Sequence, residues 1–329
     1  MKILVFGKDG QLGKAFKALF DFLIPTLAKQ PIVQYVGRQE CDLSNADAIS
    51  ALLNQFHPNV IINASAYTAV DKAETEAELA YAVNAIAPEI MAKYAAQNGA
   101  TLLHYSTDYV FDGQKYGFYL EGDIRNPLGV YGKSKAVGEQ AITQVFSEGS
   151  KGQYAILRTS WVYGDGGNFI RTILRLAKER EELKIIQDQY GVPTSADWLA
   201  KESLNLVFNQ QGDLISFPSG IYHAVPAGET TWHGLASLVV QTAVEAGAIL
   251  KAQPSTIKPI LAVEYPLPAP RPMNSRMSTD KLQGVLAYFD GVNGATSNSY
   301  NDFSPQSGFP RWEVMVREYV RKLVADSLV

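Results

Sequence analysis

The chain has 329 residues, of which 47% are hydrophobic and 19% are charged, and its formal net charge is −4. This composition is typical of a globular protein large enough for two domains, and it excludes extensive disorder and a coiled-coil architecture. The acidic balance argues against nucleic acid as a partner, because proteins that bind nucleic acids normally present a basic face.

The sequence also argues against secretion and against a membrane partner. Cys41 is the single cysteine, so no disulfide can form within one chain. A strand pattern begins in the first residues without a signal-peptide pattern. The most apolar early stretch, residues 16–36, is interrupted by Pro25, Lys29 and Pro31, which leaves no run long enough to span a bilayer. We therefore expect a cytoplasmic protein.

Short apolar runs alternate with segments of helical length through the first half of the chain. The runs are KILVF (2–6), IVQYV (32–36), NVIIN (59–63), TLLHYS (101–106) and YAILR (154–158). Such alternation predicts an α/β fold built on a doubly wound parallel sheet, the Rossmann arrangement. Two of the intervening helices are predicted at 45–56 and 74–99, the second kinked or restarted at Pro88 and ended by Gly99.

Beyond residue 165 the pattern predicts a second, smaller α+β domain for the substrate. Helices are predicted at 167–183 and 230–247, and residues 184–194 are predicted as a strand and turn. Residues 221–225 (IYHAV) have the pattern of a strand that returns to the main sheet, so the two domains are predicted to be interleaved. The predicted cofactor domain is 1–165 plus about 196–226, and the predicted substrate domain is about 166–195 plus 227–329.

Residues 288–308 are rich in Gly, Asn and Ser and show no periodicity. This composition predicts a long surface loop before a final helix at 311–326.

Three glycines, Gly7, Gly10 and Gly13, follow the first strand and open the first helix. Glycine allows a tight turn and a close approach to a pyrophosphate, whose charge the helix amino terminus stabilises. The placement predicts dinucleotide binding, and the alternative is an ordinary tight turn between strand and helix. The G-x-x-G-x-x-G spacing is typical of the short-chain dehydrogenase type.

The end of the second strand bears on the choice between NADPH and NADH. An NAD site usually has an acidic residue there, whereas this chain has Gly37 and Arg38. Arginine suits a 2′-phosphate, so we predict NADPH, with a solvated surface charge as the alternative interpretation of Arg38. Glu40 and Asp42 are close enough in sequence to keep NADH possible.

Tyr131 and Lys135 lie four residues apart, on one face of a predicted helix. A tyrosine beside a cation can transfer a proton to a carbonyl, because the positive charge favours the phenolate. With 17 tyrosines in the chain, a chance Y-x-x-x-K remains an alternative.

The fourth strand is predicted to bring Ser106, Thr107 and Asp108 to the sheet edge where ligands bind in such folds. His104 and Tyr105, still within that strand, are predicted to be core residues.

At the end of the third strand, Ala64 and Ala66 leave room for a cofactor, with close packing of strand on helix as the alternative.

Six ordered motifs, GKDGQLG, NASAYTAVDKAE, STDYVFDG, VYGKSKAVGE, RTSWVYG and DQYGVPT, resemble those of the extended short-chain dehydrogenase/reductase family. The resemblance spans nearly the whole chain, and it implies a Rossmann enzyme that reduces the C4 ketone of a dTDP-linked 4-keto-6-deoxy sugar to give dTDP-L-rhamnose.

By this resemblance Tyr131 donates the proton, Lys135 holds the ribose and lowers the tyrosine pKa, and Thr107 tunes the tyrosine. The implied cofactor contacts are Gly10, Gln11, Leu12, Asp42, Leu43, Ala66, Tyr67 and Thr68. The implied substrate contacts are Thr107, Asp108 and Trp161. Filling of the domain interface is the alternative role for Trp161.

Arg271 is a further candidate substrate contact, because a guanidinium matches phosphate oxygens in fork geometry. A surface role is the alternative.

One departure from the family pattern concerns metal and assembly. Some relatives dimerise around magnesium held by glutamates, and one of those glutamate positions is Ala15 here. A magnesium-bridged dimer is therefore in doubt, and both a monomer and a homodimer remain open.

The resemblance also leaves three alternative functions. A sugar-nucleotide dehydratase or epimerase shares the fold and the tyrosine, but a dehydratase needs an Asp-Glu pair after the threonine, where this chain has Asp108 and Tyr109. The remaining alternative is a non-catalytic regulatory subunit similar to the β subunit of methionine adenosyltransferase.

Overall fold

The computed structural model describes residues 1–147, 149–292 and 308–328. Within these ranges the strands are β1 (Lys2–Phe6), β2 (Ile32–Val36), β3 (Val60–Asn63), β4 (Thr101–Thr107), β5 (Gln153–Thr159), β6 (Val162–Tyr163), β7 (Leu183–Ile186), β8 (Tyr190–Gly191), β9 (Thr194–Ser195), β10 (Gly220–His223), β11 (Thr230–Thr231) and β12 (Ile257–Ile260). The α-helices are α1 (Gln11–Leu23), α2 (Ala46–Phe56), α3 (Val70–Ala73), α4 (Ala77–Tyr81), α5 (Ala87–Asn98), α6 (Val130–Ser147), α7 (Phe169–Glu179), α8 (Ala196–Val207), α9 (Trp232–Glu245), α10 (Asp280–Val292) and α11 (Trp312–Ala325).

The central sheet is parallel throughout, in the order β10-β5-β4-β3-β1-β2, with six strands in the described part of the chain. The order reverses between β1 and β3, and ligands of doubly wound sheets bind in the crevice at such a switch point. The predicted doubly wound parallel sheet is confirmed, and the returning strand predicted at 221–225 is observed as β10.

Helices cover both faces of the sheet. On one face, α1 and α8 pack over the strands through residues such as Phe16 and Leu199. On the other face, α2, α5 and α6 contribute Leu53, Met91 and Ile142 to a second cluster. Every residue of β3 and β4 is buried, which explains why these strands are continuous apolar runs rather than alternating ones.

A third hydrophobic cluster is built mainly from the second half of the chain, where α7, α9 and α11 contribute residues such as Leu174, Val239 and Val316. It also includes Phe111 and Ala136 from the first half. Strand pairs β7 with β12, β8 with β11 and β6 with β9 accompany these helices. The division of the chain into two interleaved domains at the predicted boundaries stays a prediction.

The helix predicted at 74–99 is interrupted by a π-helical turn at Ala82–Ile86, between α4 and α5. Pro88 follows in the first turn of α5, where its missing N–H disturbs the preceding helix least. Gly99 ends α5 with φ +71°, as predicted, because only the left-handed region closes the helix in this way.

The loop predicted at 288–308 is wrong at its start, because α10 continues to Val292. Leu282, Leu286 and Phe289 recur at helical spacing and pack in one cluster, which extends the helix beyond residue 288. Residues 293–307 lie outside the described part of the chain. In the part that is described, none of the helices combines the length and apolar character needed to cross a bilayer.

Candidate active site

The glycine loop between β1 and α1 is shaped by contacts that only glycine permits. Gly7 has φ +89°, and a Cβ there would lie 2.8 Å from the backbone of Ala64. A Cβ on Gly13 would lie 2.0 Å from the carbonyl oxygen of Gly7. Helix α1 therefore begins directly against the loop and aims its free amides at the switch point, as a pyrophosphate site requires.

A cleft of about 620 Å³ opens above this loop, at the carboxyl ends of the sheet strands. It is lined by every predicted cofactor contact except Gly13, namely Gly7, Gly10, Gln11, Leu12, Arg38, Asp42, Leu43, Ala64, Ala66, Tyr67, Thr68, Tyr131 and Lys135. Sequence reasoning missed other lining residues, among them Asp9, Cys41, Thr159 and Asp165. One cleft thus brings together the glycine loop, the small side chains of Ala64 and Ala66, and the Tyr131–Lys135 pair.

Tyr131 lies in the first turn of α6 and faces this cleft, with its ring edge-on to Tyr109 at a centroid distance of 5.4 Å. Burial raises the pKa of Tyr131 to about 12, and hydrogen bonding with Thr107 opposes that rise. The phenol is therefore protonated at neutral pH, as a proton donor must be.

The Lys135 ammonium points toward β4, with Nζ 2.5 Å from the carbonyl oxygen of Tyr105 and 3.2 Å from Nε2 of His104. That Lys135 lowers the pKa of Tyr131 stays a prediction. Lys135 is 1% exposed, and burial lowers its pKa to about 8. Strand β4, which ends at Thr107, thus holds the amine at the floor of the cleft.

His104 was predicted to be a core residue, and it is fully buried. It also contacts Lys135 on one side and the Nδ2 atom of Asn63 at 3.0 Å on the other. Burial and the neighbouring Lys135 hold the pKa of His104 well below its usual value, so its ring is neutral. A neutral imidazole accommodates the ammonium without adding a second charge.

Glu139 follows Lys135 by one helical turn and is also fully buried. Its two carboxylate oxygens accept hydrogen bonds from Nε and Nη2 of Arg158, on β5, at 2.9 and 2.7 Å. The carboxylate opposes the fall in the pKa of Lys135. Sequence reasoning missed this residue, although its i+4 spacing from Lys135 was a usable signal.

Thr107 and Asp108 stand at the end of β4, beside Tyr131. The Thr107 hydroxyl donates to Oδ1 of Asp108 at 2.9 Å. Oδ2 of Asp108 is buried and has no hydrogen-bond partner among the described residues. Burial raises the pKa of Asp108 to about 6, against the opposing contacts with Ser275 and Thr107. A buried carboxylate oxygen without a partner is suited to accept a hydroxyl of a ligand.

Asn84 lies in the π-helical turn and was not predicted as a site residue. Its amide accepts from the Tyr67 backbone N–H at 2.9 Å and donates to the Tyr67 carbonyl and to Ser134 Oγ. It thereby ties a wall of the cleft to α6. Such π-helical turns are frequent at functional sites.

Arg271 does not line the cleft described above. Its guanidinium forms a bidentate pair with Asp71, at 2.7 and 2.8 Å, and also donates to the carbonyl of Ala269. Asp71 lies in α3, so the pair joins this short helix to the late segment of the chain.

Trp161 likewise lies outside that lining. It adopts φ +48°, an uncommon conformation for an aromatic residue, and it stacks on Trp232 with ring centroids 3.6 Å apart. The stack joins the end of β5 to α9, which fits the interface-filling alternative. Among the described residues, no group of three or more His, Cys, Asp or Glu side chains is placed to hold a metal ion.

Comparison with known proteins agrees with this geometry. Residues 1–289 match the family model described as the RmlD substrate binding domain. The chain is 42% identical over 334 residues to the dTDP-4-dehydrorhamnose reductase of Escherichia coli K12, and the match covers 100% of both chains.

Solved structures with this fold carry the same activity name. The dTDP-4-dehydrorhamnose reductase of Clostridium acetobutylicum superposes with a TM-score of 0.78 at 31% identity, covering 98% of this chain and 99% of the other. That of Bacillus anthracis, in complex with NADP, gives 0.77 at 29% identity with the same coverage. The family resemblance of the sequence motifs is thereby confirmed. The chain belongs to the dTDP-4-dehydrorhamnose reductase family of extended short-chain dehydrogenases.

Proposed function

We propose that this protein reduces the C4 ketone of dTDP-4-dehydro-L-rhamnose to give dTDP-L-rhamnose, with NADPH as the reductant. Full-length identity of 42% to a relative of that name supports the substrate, and the NADP complex of a second relative supports the cofactor. The observation that carries the proposal is the placement of Tyr131 and Lys135 in the same cleft as the glycine loop.

The cleft fits a dinucleotide by its own geometry. The loop from Gly7 to Gly13 leaves no space for a Cβ at either end and presents the amino terminus of α1. No acidic side chain lies in the first turn of α1, although Asp9, just before that turn, also lines the cleft. Arg38 lines the cleft with Nε 3.5 Å from Oδ2 of Asp42, and it would exchange that carboxylate for a 2′-phosphate. When bound, the cofactor supplies the hydride.

We assign the proton to Tyr131. Its phenol stands protonated in the cleft and gives its proton to the oxygen that forms at C4, because a developing alkoxide is far more basic than a phenolate. Thr107 supports this transfer, since its contact with the phenol favours the phenolate left behind. Lys135 would hold the cofactor ribose and would supply positive charge close to the reacting groups.

Asp108 is the proposed substrate contact nearest to Tyr131. Its buried Oδ2 has no partner within the described residues and would accept a sugar hydroxyl. Trp161 and Arg271 are proposed contacts farther along the sugar nucleotide. For Arg271 this role requires the guanidinium to exchange Asp71 for the diphosphate.

We also propose that residues 1–165 with about 196–226 bind the cofactor, and that about 166–195 with 227–329 bind the sugar nucleotide. Within the described residues the sheet strands fall in the first set and helices α7, α9 and α11 in the second, which supports this division. Helix α10 departs from it, because Leu282 and Leu286 pack in the cluster that covers the sheet. We expect the enzyme to act in the cytoplasm. We propose a monomer or a homodimer without a magnesium bridge, because position 15 is a buried alanine that offers no ligand.

The decisive assay mixes the protein with NADPH and dTDP-4-dehydro-L-rhamnose and follows the loss of NADPH absorbance. A reductase consumes NADPH in a one-to-one ratio with the sugar product. A dehydratase or epimerase would return its cofactor unchanged, and a regulatory subunit would bind the dinucleotide without turnover. Either of these results would refute the proposal.

A further inference from the structure

Two polar side chains meet on adjacent strands of the sheet, beneath the cleft. Asn63 ends β3, His104 lies beside it on β4 as its register partner, and both are fully buried. Nδ2 of Asn63 lies 3.0 Å from Nδ1 of His104. On the other side of the ring, Nε2 of His104 lies 3.2 Å from Nζ of Lys135. A buried chain of hydrogen bonds therefore runs from β3 across β4 to the amine.

The direction of these hydrogen bonds is set by Ser65. Its backbone N–H can only donate, and it donates to Oδ1 of Asn63 at 3.2 Å. The amide nitrogen of Asn63, which also can only donate, is thereby turned toward His104, so Nδ1 of the ring is the acceptor. A neutral imidazole carries one N–H, and the proton must then lie on Nε2, the nitrogen that faces Lys135.

An Nε2–H at this place affects the two protonation states of Lys135 differently. A neutral amine has a lone pair that can accept this N–H, whereas an ammonium has donors only. The ammonium would set two buried donors against each other, 3.2 Å apart. The Tyr105 carbonyl accepts from either form. The tautomer of His104 thus weighs against the charge of Lys135, in the same direction as burial, which lowers the pKa of that lysine to about 8.

The other ionisable groups around Lys135 come from α6 and β5. Glu139, on the same helix, opposes the fall in the Lys135 pKa, and Arg158, on β5, pairs with Glu139. Tyr131, one turn earlier on α6, stays protonated because burial raises its pKa to about 12. The imidazole of His104 is the group that faces the amine from β4, so its tautomer acts on Lys135 at the shortest range.

We infer that Asn63 and His104 are positioning residues for the proposed reaction. Asn63 fixes the Nε2–H tautomer of His104, and this tautomer keeps Lys135 close to its neutral form until ligand oxygens in the cleft offer it acceptors. Ser65 itself lines the cleft, so the chain of hydrogen bonds begins at the cleft wall and ends at its floor. The inference rests on the proposed function and extends the site by two residues that act through Lys135 rather than on the substrate.

The tautomer is measured on the full chain without ligand, by nitrogen NMR of protein labelled at its histidine ring nitrogens. The chain has four histidines, and His104 is assigned from its backbone resonances. We expect a neutral ring at neutral pH with its proton on Nε2. A proton on Nδ1, or an imidazolium at neutral pH, would overturn the inference, and this result needs no variant.

The effect on charge is measured by titrating Lys135 in the ligand-free chain with carbon NMR of labelled lysine, and by the pH–rate profile of NADPH oxidation. His104→Gln offers an amide oxygen in place of Nε2, so we expect the Lys135 titration and the alkaline limb of the profile to move up by about 1 pH unit. Asn63→Leu frees the ring to present a bare Nε2. It should move both values in the same direction but less, because Nδ1–H then lacks its partner.

His233→Gln is the matched control, because His233 lies on α9 and its Nε2 contacts the carbonyl of Ile257 instead. It should leave both values at those of the wild type. Values that stay at wild type in both His104→Gln and Asn63→Leu, or that shift equally in the control, would overturn the inference. Failure of sugar reduction with the Nε2–H tautomer and the shifted Lys135 titration in place would instead refute the proposed function alone.

Discussion

Replacing Tyr131 by phenylalanine removes one hydroxyl and keeps the ring. The ring's edge contact with Tyr109, at 5.4 Å between centroids, needs no oxygen, so the packing of α6 should survive. What is lost is the proton donor, and positioned general acids contribute about 10²- to 10⁴-fold. We therefore expect the turnover number to fall by that factor, which corresponds to about 3–5 kcal/mol of transition-state stabilisation.

Cofactor binding should change little in the same variant. Tyr131 lines one part of the cleft, whereas a bound pyrophosphate would face the glycine loop and the amino terminus of α1. We expect the NADPH dissociation constant of Tyr131→Phe to stay within about threefold of wild type, as when an interaction made only in the transition state is removed. The assay pairs initial rates of NADPH oxidation with fluorescence titration of NADPH.

Tyr109→Phe is the matched control for Tyr131→Phe. Its ring is the packing partner of Tyr131, and burial holds its pKa even farther above the usual value, so it should not act as the acid. We expect this variant to retain turnover within about threefold of wild type. Our reasoning fails if both variants lose turnover equally, or if Tyr131→Phe weakens NADPH binding as much as it slows reduction.

Four other predictions follow from the geometry. Gly13→Ala should lower the free energy of unfolding by about 1–3 kcal/mol, because its Cβ would lie 2.0 Å from the carbonyl oxygen of Gly7. Gly10→Ala is the control, since its Cβ would lie 3.4 Å from the same oxygen, and it should melt near the wild-type temperature in a thermal scan. In a pH–rate profile, reduction should decline as pH rises through about 8, because Lys135 then loses its charge. Between about pH 8 and the unfolded pKa near 10.5, the unfolded chain still holds the proton that the folded chain has lost, so the free energy of unfolding should rise with pH over this range. Arg158→Met should cost about 1–3 kcal/mol in urea unfolding, since it removes two hydrogen bonds from the buried Glu139 carboxylate and leaves the longer contact with Arg125 at 3.3 Å. Chelation by EDTA should leave the rate unchanged, because we propose no metal.

The inner strands of the sheet, such as β1, β3 and β4, were predictable because they are buried on both faces. The run predicted at 2–6 is β1 to the residue, and the one at 101–106 is β4 less Thr107. Continuous apolar runs of this kind arise only where helices cover both sides, so they also indicated the fold class. Helix α10 was missed because its apolar spacing, Leu282, Leu286 and Phe289, runs into a stretch rich in glycine and asparagine.

The cleft was predictable only where function depends on local sequence. Glycine spacing and the four-residue separation of Tyr131 and Lys135 are visible along the chain. Arg271 and Asp71 are 200 residues apart, and a guanidinium that satisfies a phosphate equally satisfies a carboxylate, so the sequence could not reveal which one it holds. The direction of the Lys135 ammonium was hidden for the same reason, since its partners lie on β4.

Three side chains on α6 lie at successive four-residue steps and meet three different surroundings. Tyr131 reaches the cleft, Lys135 is buried against β4, and Glu139 is buried against Arg158 of β5. Burial alone would drive the lysine toward its neutral form, and the buried Glu139 opposes this. Arg158, on β5, in turn pairs with Glu139. The positive charge of Lys135 that we propose for cofactor binding therefore depends on β5, although β5 takes no direct part in the proton transfer. The short motif around Tyr131 is therefore functional only when β4 and β5 lie beneath α6 in this register.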